Sequence, residues 1–347
     1  MAQRAFVVGG TGQTGRAVVR RLVRDGWSVT VASRGQYPHA FDKSGGVRVI
    51  RLDRTEPDQL AVALPTGTDV LIDLIAHNAD DARQLLQVAD RVGSLIVLST
   101  LGVYADAEGR NIRSAYDGRT DFPEFPVPIT EDQPTVSADD TGYPFAAGKV
   151  ALEQTLLDQS PVPVTVIRPG AIHGPESTYA REWWLVKRVL DDRKSIVLAH
   201  SDNVFHPTAT ANLADLIVMA AHRPGTRILN CGDPEPPTAL EITQTLLDLM
   251  ECSLPILILP GEPPYPGVGD HPWLQTGSLV ADLTAAEREL GFRPVTAYAA
   301  AAARTVSWLC EEVAGDDWWQ RLPRVAALRH FFDYQAEDAF LRRLAYA

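Results

Sequence analysis

The chain has 347 residues, 45% of them apolar and 22% charged, enough for a large core and too close to the globular average to be mostly disordered; one nucleotide-binding domain with a smaller lobe is expected. Lys and Arg number 32 against 44 Asp and Glu, a formal charge of −12, and the acidic residues are dispersed, so no basic face for nucleic acid is advertised. Cys231, Cys252 and Cys310 are too few and too scattered for a disulfide framework or a zinc site, and no apolar run approaches the ~18 residues of a membrane span, so a soluble cytoplasmic protein with no metal and no membrane partner is expected.

The first predicted strand is Arg4-Ala5-Phe6-Val7-Val8, which runs into Gly9-Gly10-Thr11-Gly12-Gln13-Thr14-Gly15. Strand, glycine turn and helix start in succession make a place to hold a diphosphate. Glycine admits positive φ and close approach of a ligand, and the N–H groups of a helix's first turn favour an anion. Residues 15–25 follow as an amphipathic helix, with Ala17, Val18, Leu22 and Val23 on one face and Arg16, Arg20 and Arg24 on the other, closed by Gly26.

Val29-Thr30-Val31-Ala32 is the second predicted strand, with Arg34 just past its end. In dinucleotide-binding folds an acidic residue there meets the ribose 2′-hydroxyl, whereas an arginine can pair with a 2′-phosphate. Arg34 therefore points to NADP(H), with NAD(H) as the alternative. Val47-Arg48-Val49-Ile50-Arg51-Leu52 is the third strand, followed by Asp53 at a position suited to the adenine amino group. Residues 69–76 are the fourth, with Ala76 at its end counted among the cofactor-binding positions, and Ser94-Leu95-Ile96-Val97-Leu98-Ser99 is the fifth. Near-continuous apolar strands alternating with helical stretches such as 82–91 imply a doubly wound α/β fold, a parallel sheet covered on both faces, with ligands at the carboxyl ends of its strands.

Residues 105–141 are rich in Pro and Asp and are expected to form a flap near the site. A helix over 145–159 and a sixth strand, Val164-Thr165-Val166-Ile167-Arg168-Pro169, come next. Further helices are expected from Arg181-Glu182-Trp183-Trp184 onward and over 212–221, 239–251, 285–290 and 297–313, with strands over 195–198, 227–230 and 255–260. The tail, 316–347, places Trp318, Trp319, Phe331, Phe332, Tyr334 and Phe340 on helices, where they either pack on the chain's own body or form a partner surface.

The pattern resembles the extended (atypical) short-chain dehydrogenase/reductase family, the NAD-dependent epimerase/dehydratase group, over residues 3 to about 310. The resemblance rests on the glycine turn, on Ser99-Thr100-Leu101-Gly102-Val103-Tyr104, and on Pro128-Ile129-Thr130-Glu131-Asp132-Gln133-Pro134. It continues in Arg168-Pro169-Gly170-Ala171-Ile172-His173-Gly174-Pro175, Ala281-Asp282-Leu283-Thr284 and Glu289-Leu290-Gly291-Phe292-Arg293-Pro294. It implies a Rossmann-type domain over 1–175, rejoined by 205–230, and a smaller substrate-binding lobe over 176–204 and 231–314, with 315–347 as a helical tail. It also implies a small-molecule substrate and, in many relatives, a homodimer.

Members of that family work with a Ser/Thr, a Tyr and a Lys: the hydroxyl holds the substrate oxygen, the phenol moves its proton, and the lysine binds the nicotinamide ribose and lowers the phenol's pKa. The resemblance puts the Ser/Thr at Thr100, which otherwise reads as a capping hydroxyl after a strand, and the lysine at Lys149. Four residues before Lys149, on the same helical face, stands Phe145 in place of the expected Tyr. A phenyl ring cannot exchange a proton. Tyr143, in Gly142-Tyr143-Pro144 at the helix start, is the proposed substitute; Tyr104, a substrate group, or no redox chemistry at all are the alternatives.

His77 points toward the cofactor region or is structural. His173 and His206 are candidates for the substrate lobe, as are Trp183 and Trp184 beside Arg181, whose aromatic pair suits an apolar or ring-bearing ligand or else the core. Asn212 stands where relatives often carry an aspartate, which, with Arg34 and the missing phenol, weighs against a sugar-nucleotide epimerase or dehydratase. The reading is an NADP-dependent oxidoreductase-type protein acting on a small carbonyl or hydroxyl compound, with a redox-inactive dinucleotide sensor or scaffold, or a sugar-nucleotide epimerase/dehydratase, as the alternatives.

Overall fold

A computed structural model describes residues 2–35, 41, 46–56 and 58–345. The chain forms two compact units: Met1–Ile172 with Thr210–Gly232 and Ala281–Val295, and His173–Ala209 with Asp233–Val280 and Thr296–Ala347.

The first unit is built on seven parallel strands. In chain order they are β1 (Arg4–Val8), β2 (Ser28–Ser33), β3 (Val47–Arg51), β4 (Val70–Asp73), β5 (Leu95–Leu98), β6 (Val164–Pro169) and β7 (Arg227–Cys231). Their spatial order is β7-β6-β5-β4-β1-β2-β3. The chain leaves β1 toward one edge and comes back to β1's other side with β4, so the loops after β1 and β4 part at the carboxyl end of the sheet and open the crevice where such folds bind ligands.

Side-chain alternation explains why these strands look apolar throughout. Along β1, Ala5 and Val7 enter one buried cluster while Phe6 and Val8 enter the other; β4 sends Val70 and Ile72 one way and Leu71 the other. The inner strands thus bury two faces, so a polar residue on them needs a partner, whereas the edge strand β3 is intermediate to exposed along its whole length. Helix α1 (Gln13–Arg24) covers the first face with Val18, Val19 and Leu22 beside Leu213, Leu216 and Ile217 of α4 (Thr210–His222). Helices α2 (Ala79–Leu86) and α3 (Pro144–Gln159) cover the second with Ala82, Leu85, Leu152 and Leu156.

Several boundaries differ from the sequence expectation. The helix expected over 82–91 begins at Ala79, because the Asn78 side chain caps it by accepting the N–H groups of Asp80 and Asp81 at 2.9 and 3.0 Å, and it ends at Leu86 before a 3-10 turn, Ala89–Arg91. The helix expected over 297–313 is α-helical only through Tyr298–Trp308 and then widens to a π turn, Leu309–Val313.

In the second unit, strand Ile196–Ala199 pairs in parallel with Ile256–Leu259. Helix Ala239–Leu249 carries a reciprocal cap between Thr238 and Glu241. The aromatic tail packs largely on this unit. Trp318 stacks on Trp183 with ring centroids 5.6 Å apart, Arg193 lies over the Tyr334 ring at 4.6 Å, and Arg188 Nη2 donates to the Phe331 carbonyl at 2.7 Å.

Candidate dinucleotide-binding site

The turn after β1 is closed by backbone hydrogen bonds. Gly9, at φ +79°, donates its N–H to the Ala32 carbonyl at 3.0 Å and accepts the Gly12 N–H at 3.2 Å. A side chain on Gly15 would place its Cβ 2.5 Å from the Gly10 Cα, so the glycine is what lets α1 start directly on the turn. Over Gly12 the only neighbour of an added Cβ is the Gly9 carbonyl at 3.6 Å; the space there is open. Gly12 caps α1 without any side-chain hydrogen bond, and no acidic residue occupies the first turn formed by Gln13, Thr14 and Gly15. Thr11 is buried, with its carbonyl accepting from Arg16 Nε at 2.9 Å. An open, acid-free helix N-terminus over a glycine turn fits a diphosphate.

Past β2, Arg34 is exposed and makes no hydrogen bond or ion pair among the described residues. Asp53, past β3, accepts the Thr55 N–H at 3.0 Å and its hydroxyl at 2.7 Å. These bonds, then the charge of Arg34, hold the Asp53 carboxyl below its usual range.

The loop after β4 is organised by charges that the sequence reading missed. Asp73, fully buried, accepts the N–H groups of Ile75 and Ala76 at 2.9 and 2.8 Å and pairs with Arg54, whose Nε also reaches Asp81 at 3.1 Å. Asp81 in turn accepts the His77 N–H at 2.6 Å. The available signal was an aspartate ending an otherwise apolar strand, which requires a cationic partner. Helix α3 then approaches this loop so closely that a Cβ on Gly148 would lie 2.8 Å from the His77 carbonyl.

That approach fixes Lys149. Its Nζ donates to the carbonyls of Ala76 and Leu98, each at 2.7 Å, at the carboxyl ends of β4 and β5. Burial pulls its pKa down to about 8, against the attraction of Asp73, Asp81 and Glu153. One turn earlier, the half-exposed Phe145 ring rests on His77, centroids 4.8 Å apart. His77 is pushed down by burial first and then by Lys149.

Thr100 Oγ accepts the Gly102 N–H at 3.1 Å, a capping contact that leaves its own proton for another acceptor. Tyr143 is outside the helix, at φ −130° and ψ 60°, with its ring under the Arg119 guanidinium at 5.0 Å. No contact among the described residues joins its hydroxyl to Lys149 or Thr100. Tyr104, the other phenol considered, is fully buried and donates to Asn230 Oδ1 at 2.7 Å, so it is not open to substrate.

The four residues assigned to the substrate lobe lie in the second unit. Of the two readings of Trp183 and Trp184, ligand pocket or core, their burial favours the core: they are 1% and 0% exposed. Trp184 packs under the Arg188 guanidinium at 4.0 Å and edge-on to Trp273 at 6.0 Å, so these rings fill an interior. His173 Nε2 is bound to the Asp233 carboxylate at 2.6 Å, while its Nδ1 lies 3.7 Å from Glu182 and makes no hydrogen bond. Tyr298, whose ring centroid is 5.0 Å from that of His173, has an unpartnered hydroxyl pushed far up by burial and then by Glu182 and Asp233. His206, also buried, meets the Asp233 carbonyl through Nε2 at 2.9 Å. His173 and His206 therefore share Asp233, a residue the sequence reading did not single out.

A β3-β2-β1-β4-β5-β6 sheet with a glycine-cradled helix N-terminus and a lysine bound at the ends of β4 and β5 defines a Rossmann-type protein of the dinucleotide-binding class. The chain belongs to the NAD-dependent epimerase/dehydratase family, which residues 5–232 match. It is 39% identical over 99 residues to a 2′-dehydrokanamycin reductase of Streptomyces kanamyceticus, a match covering 28% of each chain. It is 26% identical over 200 residues to the chloroplast stem-loop binding protein of 41 kDa b of Arabidopsis thaliana, covering 54% of this chain and 47% of that one. The matched stretches thus span about a quarter to a half of these relatives' lengths. Among solved structures, a UDP-N-acetylglucosamine 4-epimerase from Methanobrevibacter ruminantium M1 superposes with TM-score 0.69 at 16% identity over 90% of this chain and 99% of that one. The UDP-glucose 4-epimerase of Thermus thermophilus in complex with NAD gives 0.66 at 19% identity over 90% and 100%. At these identities the structures share the fold.

Proposed function

We propose that this protein is an NADP-dependent oxidoreductase acting on a small carbonyl or hydroxyl compound. The observation that carries the cofactor choice is Arg34: an exposed guanidinium with no hydrogen bond or ion pair among the described residues, directly past β2, where a 2′-phosphate needs a cation and a ribose 2′-hydroxyl needs an acid. Gly9, Thr11, Gly12, Gln13, Thr14 and Gly15 would hold the diphosphate, Asp53 and Ala76 the adenosine and the neighbouring loop, and Lys149 the nicotinamide ribose. When bound, the nicotinamide supplies a hydride donor or acceptor. Thr100, with its oxygen fixed by Gly102, presents a proton to the substrate oxygen. Tyr143, whose hydroxyl makes no hydrogen bond among the described residues, is the proton donor in place of the phenol absent at Phe145. The reductase name of the Streptomyces relative supports the reductive direction.

One observation favours a second reading. The Tyr143 ring sits with Arg119 and has no contact to Lys149, and Phe145 covers His77 where a phenol is expected, an arrangement suited to a dinucleotide sensor that performs no redox step. The sugar-nucleotide epimerase reading gains only the fold from its structural neighbours, and Arg34 weighs against it. Titration with NADPH, NADP, NADH and NAD, followed by NADPH consumption over a panel of carbonyl compounds, separates these readings. Preferred NADPH binding with turnover supports the oxidoreductase; tight binding without turnover on any compound leaves the sensor.

A further inference from the structure

The second unit encloses a polar cluster that the proposed reaction leaves unused. Asp233, fully buried, accepts the Ala209 N–H at 2.6 Å on Oδ1 and meets His173 Nε2 at 2.6 Å on Oδ2. A carboxylate so close takes the imidazole proton on Nε2, which leaves a lone pair on Nδ1 of the neutral ring. Nδ1 is buried and has no hydrogen bond. The carboxylate of Glu182, a residue 1% exposed, faces it at 3.7 Å and makes no hydrogen bond or closer ion pair among the described residues. Two acceptors thus confront each other at a distance too long for a hydrogen bond. Tyr298, 4% exposed, completes the group: its ring centroid is 5.0 Å from that of His173, and its hydroxyl has no partner. Burial first, then Glu182 and Asp233, push that phenol far up, so both carboxylates reach it.

Glu182 carries its charge into this interior without a bound cation, an arrangement that is costly until a counter-charge arrives. The neighbouring cationic groups do not supply one. His206, whose Nε2 meets the Asp233 carbonyl at 2.9 Å, is pushed down by burial and adds no charge near neutrality. Arg181 acts on Tyr298 against the two carboxylates but less strongly than either, and its guanidinium rests over the rings of Tyr179 at 4.7 Å and Phe205 at 5.7 Å. A metal ion does not suit the cluster: Asp233 and Glu182 lie on opposite nitrogens of the imidazole, and no three ligating side chains converge for a metal among the described residues. A primary ammonium does. Its three N–H bonds match the Glu182 carboxylate, His173 Nδ1 and the Tyr298 oxygen, whose own proton rotates aside. One nitrogen about 2.9 Å from both Nδ1 and the carboxylate spans their 3.7 Å separation.

We propose that Glu182, His173 Nδ1 and Tyr298 form a binding site for the primary ammonium group of a small ligand, with Asp233 fixing the imidazole that receives it. The site does not depend on which cofactor or reaction the first unit supports. The test uses the full-length protein, isotope-labelled in its histidine rings and titrated near neutral pH with methylammonium while the His173 Nδ1 resonance is followed. A saturable movement is expected. Tetramethylammonium, equally charged but without N–H groups, and methanol, a donor without charge, are each expected to bind at least about tenfold more weakly. Glu182→Gln removes the charge and is expected to weaken methylammonium by about tenfold to a hundredfold. Tyr298→Phe removes one neutral acceptor, with an expected loss of about threefold to tenfold; it keeps the ring in place and so decides the matter if Glu182→Gln does not fold. A His173 ring found doubly protonated before any probe is added would overturn the proposal, because the imidazolium would then neutralise Glu182 itself. So would a resonance that does not saturate, an equal response to tetramethylammonium or methanol, or variants that bind methylammonium like the wild type.

Discussion

The phenyl ring of Phe145 lies against the imidazole of His77, centroids 4.8 Å apart and planes at 59°, one helical turn ahead of Lys149. The position that should exchange a proton beside the lysine is instead filled by a ring that only packs. Phe145→Tyr adds one hydroxyl to a half-exposed side chain, so stability is expected to change by no more than about 0.5 kcal/mol. A positioned general acid is worth about 10²-fold or more. NADPH-dependent carbonyl reduction by the variant, measured as kcat/KM, is therefore expected to rise by about that factor. An unchanged rate with wild-type turnover intact would show that Tyr143 already meets the need, and Tyr143→Phe would then abolish activity.

Arg34 gives a sharper test of the cofactor. A charge-assisted contact to a phosphate contributes about 1.5–3 kcal/mol. Arg34→Ala is expected to weaken NADPH binding by about tenfold to a hundredfold and NADH binding by less than about twofold, read by calorimetric titration. The side chain is exposed and makes no hydrogen bond or ion pair among the described residues, so little change in stability is expected from its removal. Equal losses for both cofactors would remove the 2′-phosphate assignment.

What could be read in the sequence was what repeats or what only glycine can do. The inner strands of the sheet were visible because they bury both faces, and the glycine turn because Gly9 and Gly15 have no substitutes at their places. The Asn78 cap that starts α2 three residues early was written in a single polar side chain, too local to show in a pattern of apolar spacing. Asp73 and Arg54 stand nineteen positions apart and pair only once β3 and β4 are both in place. Trp183 and Trp184 show the same limit from the other side: an aromatic pair has one appearance in sequence whether it lines a pocket or fills an interior, and only burial separates the two.

Gly15 links fold and site. Its Cβ, if present, would press on the Gly10 backbone at 2.5 Å, and backbone cannot rotate away as a side chain can. Gly15→Ala must therefore lift α1 from the turn after β1. A destabilisation of about 1–3 kcal/mol is expected from the overpacking, measured by urea unfolding. Dinucleotide affinity is expected to fall by more than about tenfold in the fraction that remains folded, because the α1 N–H groups retreat from the diphosphate. Gly12→Ala, where an added Cβ meets only the Gly9 carbonyl at 3.6 Å, is the matched control: stability is retained and affinity falls.

Lys149 yields a pH signature. Burial sets its folded pKa near 8 while the unfolded chain keeps the ordinary value of 10.5. Below about pH 8 the ammonium is protonated in both states, and the full penalty of burying the charge is present. Between about 8 and 10.5 the folded protein sheds the proton that the unfolded chain still holds, so unfolding takes up a proton and stability from this group rises with pH. The gain is on the order of 3 kcal/mol across the window. Lys149→Met lacks it; the variant also frees His77 from the charge of Lys149, but that imidazole is pushed down from 6.5 and lies below the pH window compared. Urea unfolding of both, at about pH 7 and about pH 10, is expected to show the wild type gaining on the variant as pH rises. A difference that stays constant, or one that shrinks the wild type's lead, would mean that the carbonyls of Ala76 and Leu98 and the carboxylates of Asp73, Asp81 and Glu153 hold the ammonium charged at no penalty.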